Sequence, residues 1–191
     1  HPRMARMIDY VRAGNIGKII SIDSSFTFPA EIAANYRNSP AMGGGALFDV
    51  GVYQLHAMAA LVGDSAEVEI QSSDVTLGET GIDLTSKWQM SIDGSITARG
   101  LASFEMPENQ SLIVRGEKGS VELIGTQAFT SWHEVSTLRL GEQVEEFEAV
   151  DPYRLMIENF GKKIQAQESW VLPLETSLSV AKVLEQIQSS N

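Results

Sequence analysis

The chain has 191 residues, 43% of them hydrophobic, and a mean hydropathy of -0.06, ordinary values for one globular domain with a sizeable core. Its 25 acidic and 14 basic residues give a formal net charge of -11 and a pI of about 4.7, which argues against nucleic acid or an anionic membrane surface as a partner. The lack of cysteine removes disulfide and thiolate chemistry and fits a reducing, cytoplasmic setting.

In chain order, Met4, Met7, Ile8 and Val11 recur at helical spacing, and Gly14 supplies a stop. Ile20, Ile22, Phe26 and Phe28 alternate as a strand with one buried face. Residues 29–40 read as a loop with a turn of helix. Gly43, Gly44 and Gly45 then lead into a long apolar helix running from Leu47 to Val62, where Gly63 stops it. Asp49, Gln54 and His56 interrupt that helix, which argues against a membrane span. From 66 to 150 the pattern is strand after strand. Leu84, Trp88, Met90 and Ile92 alternate, as do Ile96, Ala98, Ala102, Phe104 and Met106. Asp93-Gly94, Glu117-Lys118-Gly119 and Gly141 mark the antiparallel turns. Asp151 caps a helix opened by Pro152, with Tyr153, Ile157, Phe160 and Ile164 as its apolar stripe. Pro173 opens a last helix with Val180, Leu184 and Ile187 inward.

Helices at both ends and hairpins between them predict an α+β domain over 1–191. Its expected form is a large, mostly antiparallel, open-faced sheet with helices packed on one face. An uncovered face carrying residues such as Trp88, Met90 or Trp132 would expose much apolar surface, so a homodimer or higher oligomer through the sheet is expected.

The candidate site lies on the apolar helix. Asp49, Tyr53 and His56 stand at i, i+4 and i+7 and share one face. A polar stripe on a buried helix must face a cleft or join a network, because desolvating an unpaired charge is costly. Each residue also has a plainer role. Asp49 is favoured near a helix start by the dipole. Tyr53 suits a core edge with its hydroxyl satisfied. His56 suits a satisfied core position. Arg37, just before the helix, could meet a substrate anion or hydroxyl, or simply pair the loop to the helix. Asp49 and His56 are too few ligands for a metal, so none is expected. No G-x-S-x-G occurs, so no nucleophile triad is assembled. The triple glycine is no phosphate loop, since no Lys-Ser/Thr follows it. Close backbone approach explains it better, and Gly51 is expected to let another backbone pack tightly. His133, beside Trp132 on an expected strand, has no evident partner and reads as surface or interface.

The segment from Gly43 to His56, GGGALFDVGVYQLH, resembles the GGG-A-L-x-D-x-G-x-[HY] signature of the glucose–fructose oxidoreductase, inositol dehydrogenase and MocA family of nicotinamide-dependent oxidoreductases. The opening HPRMARMIDYVRAGNIGKII, Asn35-Tyr36-Arg37, the Arg115 to Ser120 turn, and Asp151-Pro152-Tyr153 with Asn159-Phe160 are similar to further family segments in the same order. The resemblance implies that this is the C-terminal substrate and oligomerisation domain of a longer enzyme. Its dinucleotide-binding domain would precede His1, since neither a G-x-G-x-x-[GA] loop nor the family's Glu-Lys-Pro motif occurs here. It implies a hydride transfer between NAD or NADP and a sugar, cyclitol or similar diol. Asp49 and Tyr53 would be the catalytic residues, with His56 and Arg37 binding substrate. The tyrosine at position 53 is similar to the glucose–fructose oxidoreductase and dihydrodiol dehydrogenase branch. The family's lysine, absent here, would act on its phenol. The fragment alone is expected to bind no cofactor and to be inactive. The alternative is a non-catalytic binding or dimerisation module on the same fold.

Overall fold

The computed structural model describes residues 1–63, 65–125, 128–130 and 134–190. His133 and Trp132 lie outside these residues. Helix α1 (Pro2–Arg12) leads to strand β1 (Ile19–Thr27). Two 3-10 turns (Tyr36–Asn38 and Pro40–Met42) and a π turn (Leu47–Gly51) precede α2 (Val52–Val62). Seven strands follow: β2 (Val68–Leu77), β3 (Asp83–Ile92), β4 (Ile96–Ser103), β5 (Asn109–Gly116), β6 (Gly119–Gly125), β7 (Ser136–Leu140) and β8 (Gln143–Phe147). The chain ends with α3 (Pro152–Ile164) and α4 (Leu174–Ser189).

The eight strands form one sheet in the order β2-β3-β4-β1-β5-β6-β7-β8. Among the described residues only β1 and β4 pair in parallel; the other neighbouring strands are antiparallel. The expected α+β architecture is therefore present. The first strand sits in mid-sheet because α2 carries the chain across one face to start β2 at the far edge. The β1 alternation differs from the expected one at its start. A register shift between Ile19 and Ser21 leaves Ile20 52% exposed, while Ile22, Ser24 and Phe26 point into the core.

Helices α1, α2 and α4 cover one face. Met7, Leu55, Met58, Val180, Leu184 and Ile187 meet Ile22, Met90, Leu112, Val121 and Leu138 in one continuous core. Arg6 and Tyr10 tie α1 to β8 through hydrogen bonds to the Glu145 carboxylate. By length and composition Pro40–Val62 could cross a bilayer. In the fold it is broken into 3-10, π and α turns, and Leu47, Val50, Leu55, Met58 and Leu61 are buried.

The open face corrects one expectation. Trp88 and Met90 lie on the helix-covered side, 3% and 2% exposed. Strand alternation leaves their neighbours Lys87, Gln89 and Ser91 for the other side. There Asp23 receives hydrogen bonds from both Arg99 and Arg115, Gln89 accepts one from Arg99 Nε at 3.1 Å, and Ser25 pairs with Ser111 at 2.8 Å. Among the described residues this part of the open face is polar and ion-paired, so Trp88 and Met90 do not supply the apolar exposure expected to drive self-association.

Helix α3 brings a second difference. Its expected apolar stripe is present, but none of its residues is buried. Ile157, Phe160 and Ile164 are 66%, 57% and 72% exposed.

Candidate functional site

The helix bearing the candidate residues has no N-cap of its own. Ala46 makes no side-chain cap, and neither does Gly51 where the π turn passes into α2. The sheet supplies the cap instead. Asp83, at the start of β3, accepts the Leu47 N–H at 2.7 Å and the Ser86 hydroxyl at 2.7 Å. A carboxylate there satisfies an orphan donor and meets the positive end of the helix dipole. Burial pushes the Asp83 carboxyl above its ordinary range; the hydrogen bonds from Ser86, Leu47 and Ala46 pull the other way.

The glycines fit this geometry. A Cβ on Gly45 would collide with Asp83 Oδ1, and one on Gly44 would collide with the Arg37 carbonyl. Gly45 also has φ +111°, which L side chains avoid. Gly51 corrects an expectation: a Cβ there would lie 3.0 Å from Leu47 Cδ1 and 3.3 Å from the Trp88 ring, so the glycine makes room for side chains rather than a backbone.

Three of the four expected site residues come together. Asp49, in the π turn, accepts Arg37 Nε at 2.8 Å on one oxygen and Tyr36 Oη at 3.0 Å on the other. The Asp49 side chain is 12% exposed and that of Arg37 30%. Arg37 also lies over the Tyr36 ring, 4.9 Å from its centroid. Asn35 holds this turn by accepting the Arg37 N–H at 3.1 Å. The bond to Asp49 raises the Arg37 guanidinium further above its ordinary value and also raises the Tyr36 phenol.

Tyr53, in the first turn of α2, is 41% exposed. Its ring sits edge-on against Phe26 at 5.6 Å. Burial is the largest influence raising its phenol, followed by the neighbouring Tyr153 hydroxyl, Asp49 and Tyr36. Tyr53 is therefore a protonated donor at neutral pH.

His56 stands apart. Its Nδ1 lies 2.9 Å from the Val52 carbonyl one turn back. A carbonyl only accepts, so Nδ1 carries the proton. Among the described residues no hydrogen bond joins His56 to Asp49 or Tyr53. No group of three or more His, Asp or Glu among the described residues is placed to hold a metal.

Reading the sequence missed several participants. Tyr36 falls within the Asn35-Tyr36-Arg37 segment, yet its bond to Asp49 depends on a turn that spacing does not reveal. Gln54 looks like an interruption of an apolar run. It is fully buried, with Oε1 accepting from Ser24 Oγ at 2.8 Å and Nε2 donating to the Leu101 carbonyl at 3.0 Å. It pins α2 across β1 and β4. Asp83 lies 34 residues beyond Asp49, and nothing local marks it as a cap.

The profile of the GFO/IDH/MocA C-terminal domain matches residues 4–122, more than half of the chain. The chain belongs to this family. Among curated relatives of this GFO/IDH/MocA domain, a D-xylose 1-dehydrogenase (NADP(+)) of Haloferax volcanii is 29% identical over all of the chain, which spans 59% of that protein's length. A dTDP-3,4-didehydro-2,6-dideoxy-alpha-D-glucose 3-reductase of Streptomyces antibioticus is 36% identical over 33% of the chain and 19% of its own length. Among solved structures, a 3-ketoreductase from Actinomadura kijaniata, in complex with NADP and TDP-benzene, superposes with a TM-score of 0.85 at 23% identity. The match covers all of this chain and 59% of that one. Aldose-aldose oxidoreductase from Caulobacter crescentus gives 0.82 at 19% identity, covering 98% of this chain and 57% of its own. At these identities the structural likeness shows the fold.

Proposed function

We propose that the whole protein transfers a hydride between NAD or NADP and the hydroxyl or carbonyl carbon of a sugar, cyclitol or similar diol. This domain would form the substrate-facing wall. The reading rests on one observation: Arg37, Asp49 and Tyr53 converge on one patch in a chain of this family. The relatives' NADP-linked, sugar-directed names support it, and the 3-ketoreductase was also crystallised as a tyrosine-to-phenylalanine mutant.

A bound nicotinamide would supply the hydride chemistry, with this chain's residues orienting the substrate and handling the proton. In the reducing direction, Tyr53 donates its proton to the substrate oxygen as that oxygen gains negative charge. Its raised pKa keeps the proton in place until then. In the oxidising direction the phenol must first release a proton, which a neighbouring cation would favour. Asp49 is already bonded to Arg37 and Tyr36 and acts by holding the Arg37 fork beside Tyr53, where it can bind a substrate hydroxyl. His56 would line the same helix farther along.

Steady-state kinetics of full-length Tyr53→Phe tests the reading. Turnover should fall about a hundredfold or more with little change in the Michaelis constant, because the lost bond acts in the transition state. Unchanged turnover would remove Tyr53 from the chemistry.

A further inference from the structure

The end of β1 next to Tyr53 is built of aromatic rings. Phe26 is 7% exposed and meets the Tyr53 ring edge-on at 5.6 Å. Phe129, from the segment after β6, stacks on Phe26 with centroids 5.7 Å apart and planes 8° from parallel. Phe28 lies 6.1 Å from Phe26. Tyr53 and Phe129 therefore both contact one buried ring, and Phe129 itself is only partly buried.

The segment carrying Phe129 is pinned by buried polar side chains. Gln110 stands opposite Phe26 in the β1–β5 pairing and is 2% exposed. Its Oε1 accepts the Phe129 N–H at 2.8 Å, and its Nε2 donates to Thr130 Oγ1 at 2.7 Å. Arg3, 4% exposed, donates from Nη2 to the Ala128 carbonyl at 2.9 Å. Burying an amide or a guanidinium is unfavourable unless its hydrogen bonds are made. Here those bonds hold three consecutive residues, so the position of Phe129 is fixed through its backbone and does not depend on the packing of its ring. A ring that merely filled the core would be buried, as Phe26 is. Phe129 keeps part of its surface open, one ring away from Tyr53.

The surroundings of Tyr53 thus differ in chemistry. Asp49, one turn earlier, holds the Arg37 guanidinium, while Phe26 and Phe129 present aromatic surface. A six-membered polyol ring has the same division, with hydroxyls around its rim and C–H bonds on its faces. Ligand sites combine aromatic lining with a few placed polar groups in this way. We propose that Phe129 is a substrate-binding residue that determines specificity: its ring packs on a C–H face of a cyclic polyol, a pyranose or a cyclitol, whose hydroxyls meet Arg37 and Tyr53. An acyclic diol offers no such face, so Phe129 selects cyclic over acyclic substrates. The proposal rests on the hydride-transfer reading for the nature of the substrate.

The test uses the full-length protein, with methyl β-D-xylopyranoside and myo-inositol as ring probes and erythritol as an acyclic one. Binding is followed by titration and by saturation-transfer NMR for the parent, Phe129→Ala, Phe129→Leu and the conservative Phe129→Trp. Gln110 and Arg3 bond the backbone of the segment and Thr130, not the Phe129 ring, so truncating the ring leaves those pins in place. Phe129→Leu keeps apolar volume and removes only the aromatic face, which separates stacking from packing. In the parent, the ring probes should bind more tightly than erythritol, and saturation should reach one C–H face of the xylopyranoside more than the other. Phe129→Ala and Phe129→Leu should lose that asymmetry and weaken ring-probe binding about tenfold, the worth of roughly one aromatic contact, with erythritol unaffected. Phe129→Trp should retain both the asymmetry and the affinity. Ring-probe binding unchanged in Phe129→Ala and Phe129→Leu overturns the proposal. So does a parent that binds neither ring, or that binds erythritol as tightly as the rings. The two readings fail separately, because turnover of Tyr53→Phe judges the chemistry and probe binding judges the stack.

Discussion

The Asp83 carboxylate accepts the Leu47 backbone N–H at 2.7 Å, so the helix that carries Asp49 and Tyr53 is capped by the sheet and not by its own sequence. That bond fixes the height of the helix on β3. The Asp49 N–H bonds the Gly45 carbonyl at 3.1 Å, and a Cβ on Gly45 would strike Asp83. Cap, glycine and candidate residue are thus joined within one turn.

Replacing Asp83 should therefore disturb both stability and the site. Asp83→Ala leaves the Leu47 N–H and Ser86 hydroxyl unpaired in a mostly buried place and should cost about 1–3 kcal/mol. The carboxyl is raised in the folded state, so the native protein binds its proton more tightly than the unfolded chain does. Its contribution to stability is fully present below the ordinary carboxylate pKa and declines as pH rises through the raised folded value. Asp83→Asn should remove that decline. Thermal unfolding of the parent and Asp83→Asn from acid to neutral pH checks it; parallel curves would mean that the Asp83 charge is not linked to folding.

The glycines opposite Trp88 predict a steric result. A Cβ on Gly100 would overlap the buried Trp88 ring, which sits between β4 and the π turn. Gly100→Ala should destabilise by about 1–3 kcal/mol, as overpacking usually does. Gly14→Ala meets nothing within 4 Å but has φ +74°, so its smaller cost is conformational. Denaturant midpoints of the two variants would show the order, and a Gly100→Ala protein as stable as the parent would mean that Trp88 moves freely.

How much was legible in the sequence follows from which interactions are local. The periodicities of α1, α2 and the β3–β4 hairpin depend on neighbouring residues, and the elements formed where the patterns placed them. The mid-sheet position of β1 depends on pairing Ser21 with Thr97 and Arg115, which no local pattern encodes. At the site, helical spacing put Asp49 and Tyr53 on one face. It could not reveal the π turn, the Asp83 cap, or the bond that commits Asp49 to Tyr36 and Arg37. The α3 stripe was legible as a stripe; periodicity says which side is apolar, not whether the fold buries it.

Self-association through a polar face would take a different form. The Asp23, Arg99 and Arg115 cluster and the Ser25–Ser111 pair offer charge and hydrogen bonds, not apolar area. A dimer through this face should weaken as salt rises, since exposed ion pairs are screened within about 10 Å at 0.1 M ionic strength. Light scattering across concentration and salt series checks this. A dimer that tightens with salt would be held by apolar surface elsewhere, and a monomer throughout would remove the sheet as an interface.

The last prediction concerns nucleotide. Dinucleotides are held by a glycine-rich turn whose following helix points free N–H groups at the pyrophosphate. This chain has a triple glycine followed by a helix, but the helix end is already occupied by an anion, since Asp83 takes the Leu47 N–H. A Cβ-free path at Gly45 serves that carboxylate, not a phosphate. A pyrophosphate would meet a like charge where it needs donors. The domain alone should therefore give no measurable heat on titration with NADH or NADPH, with a cooperative thermal transition confirming that it is folded. Asp83→Asn should not create binding either, because Gly43, Gly44 and Gly45 follow a 3-10 turn instead of a strand. Micromolar binding to this domain would contradict the expectation that the residues in hand do not hold the cofactor.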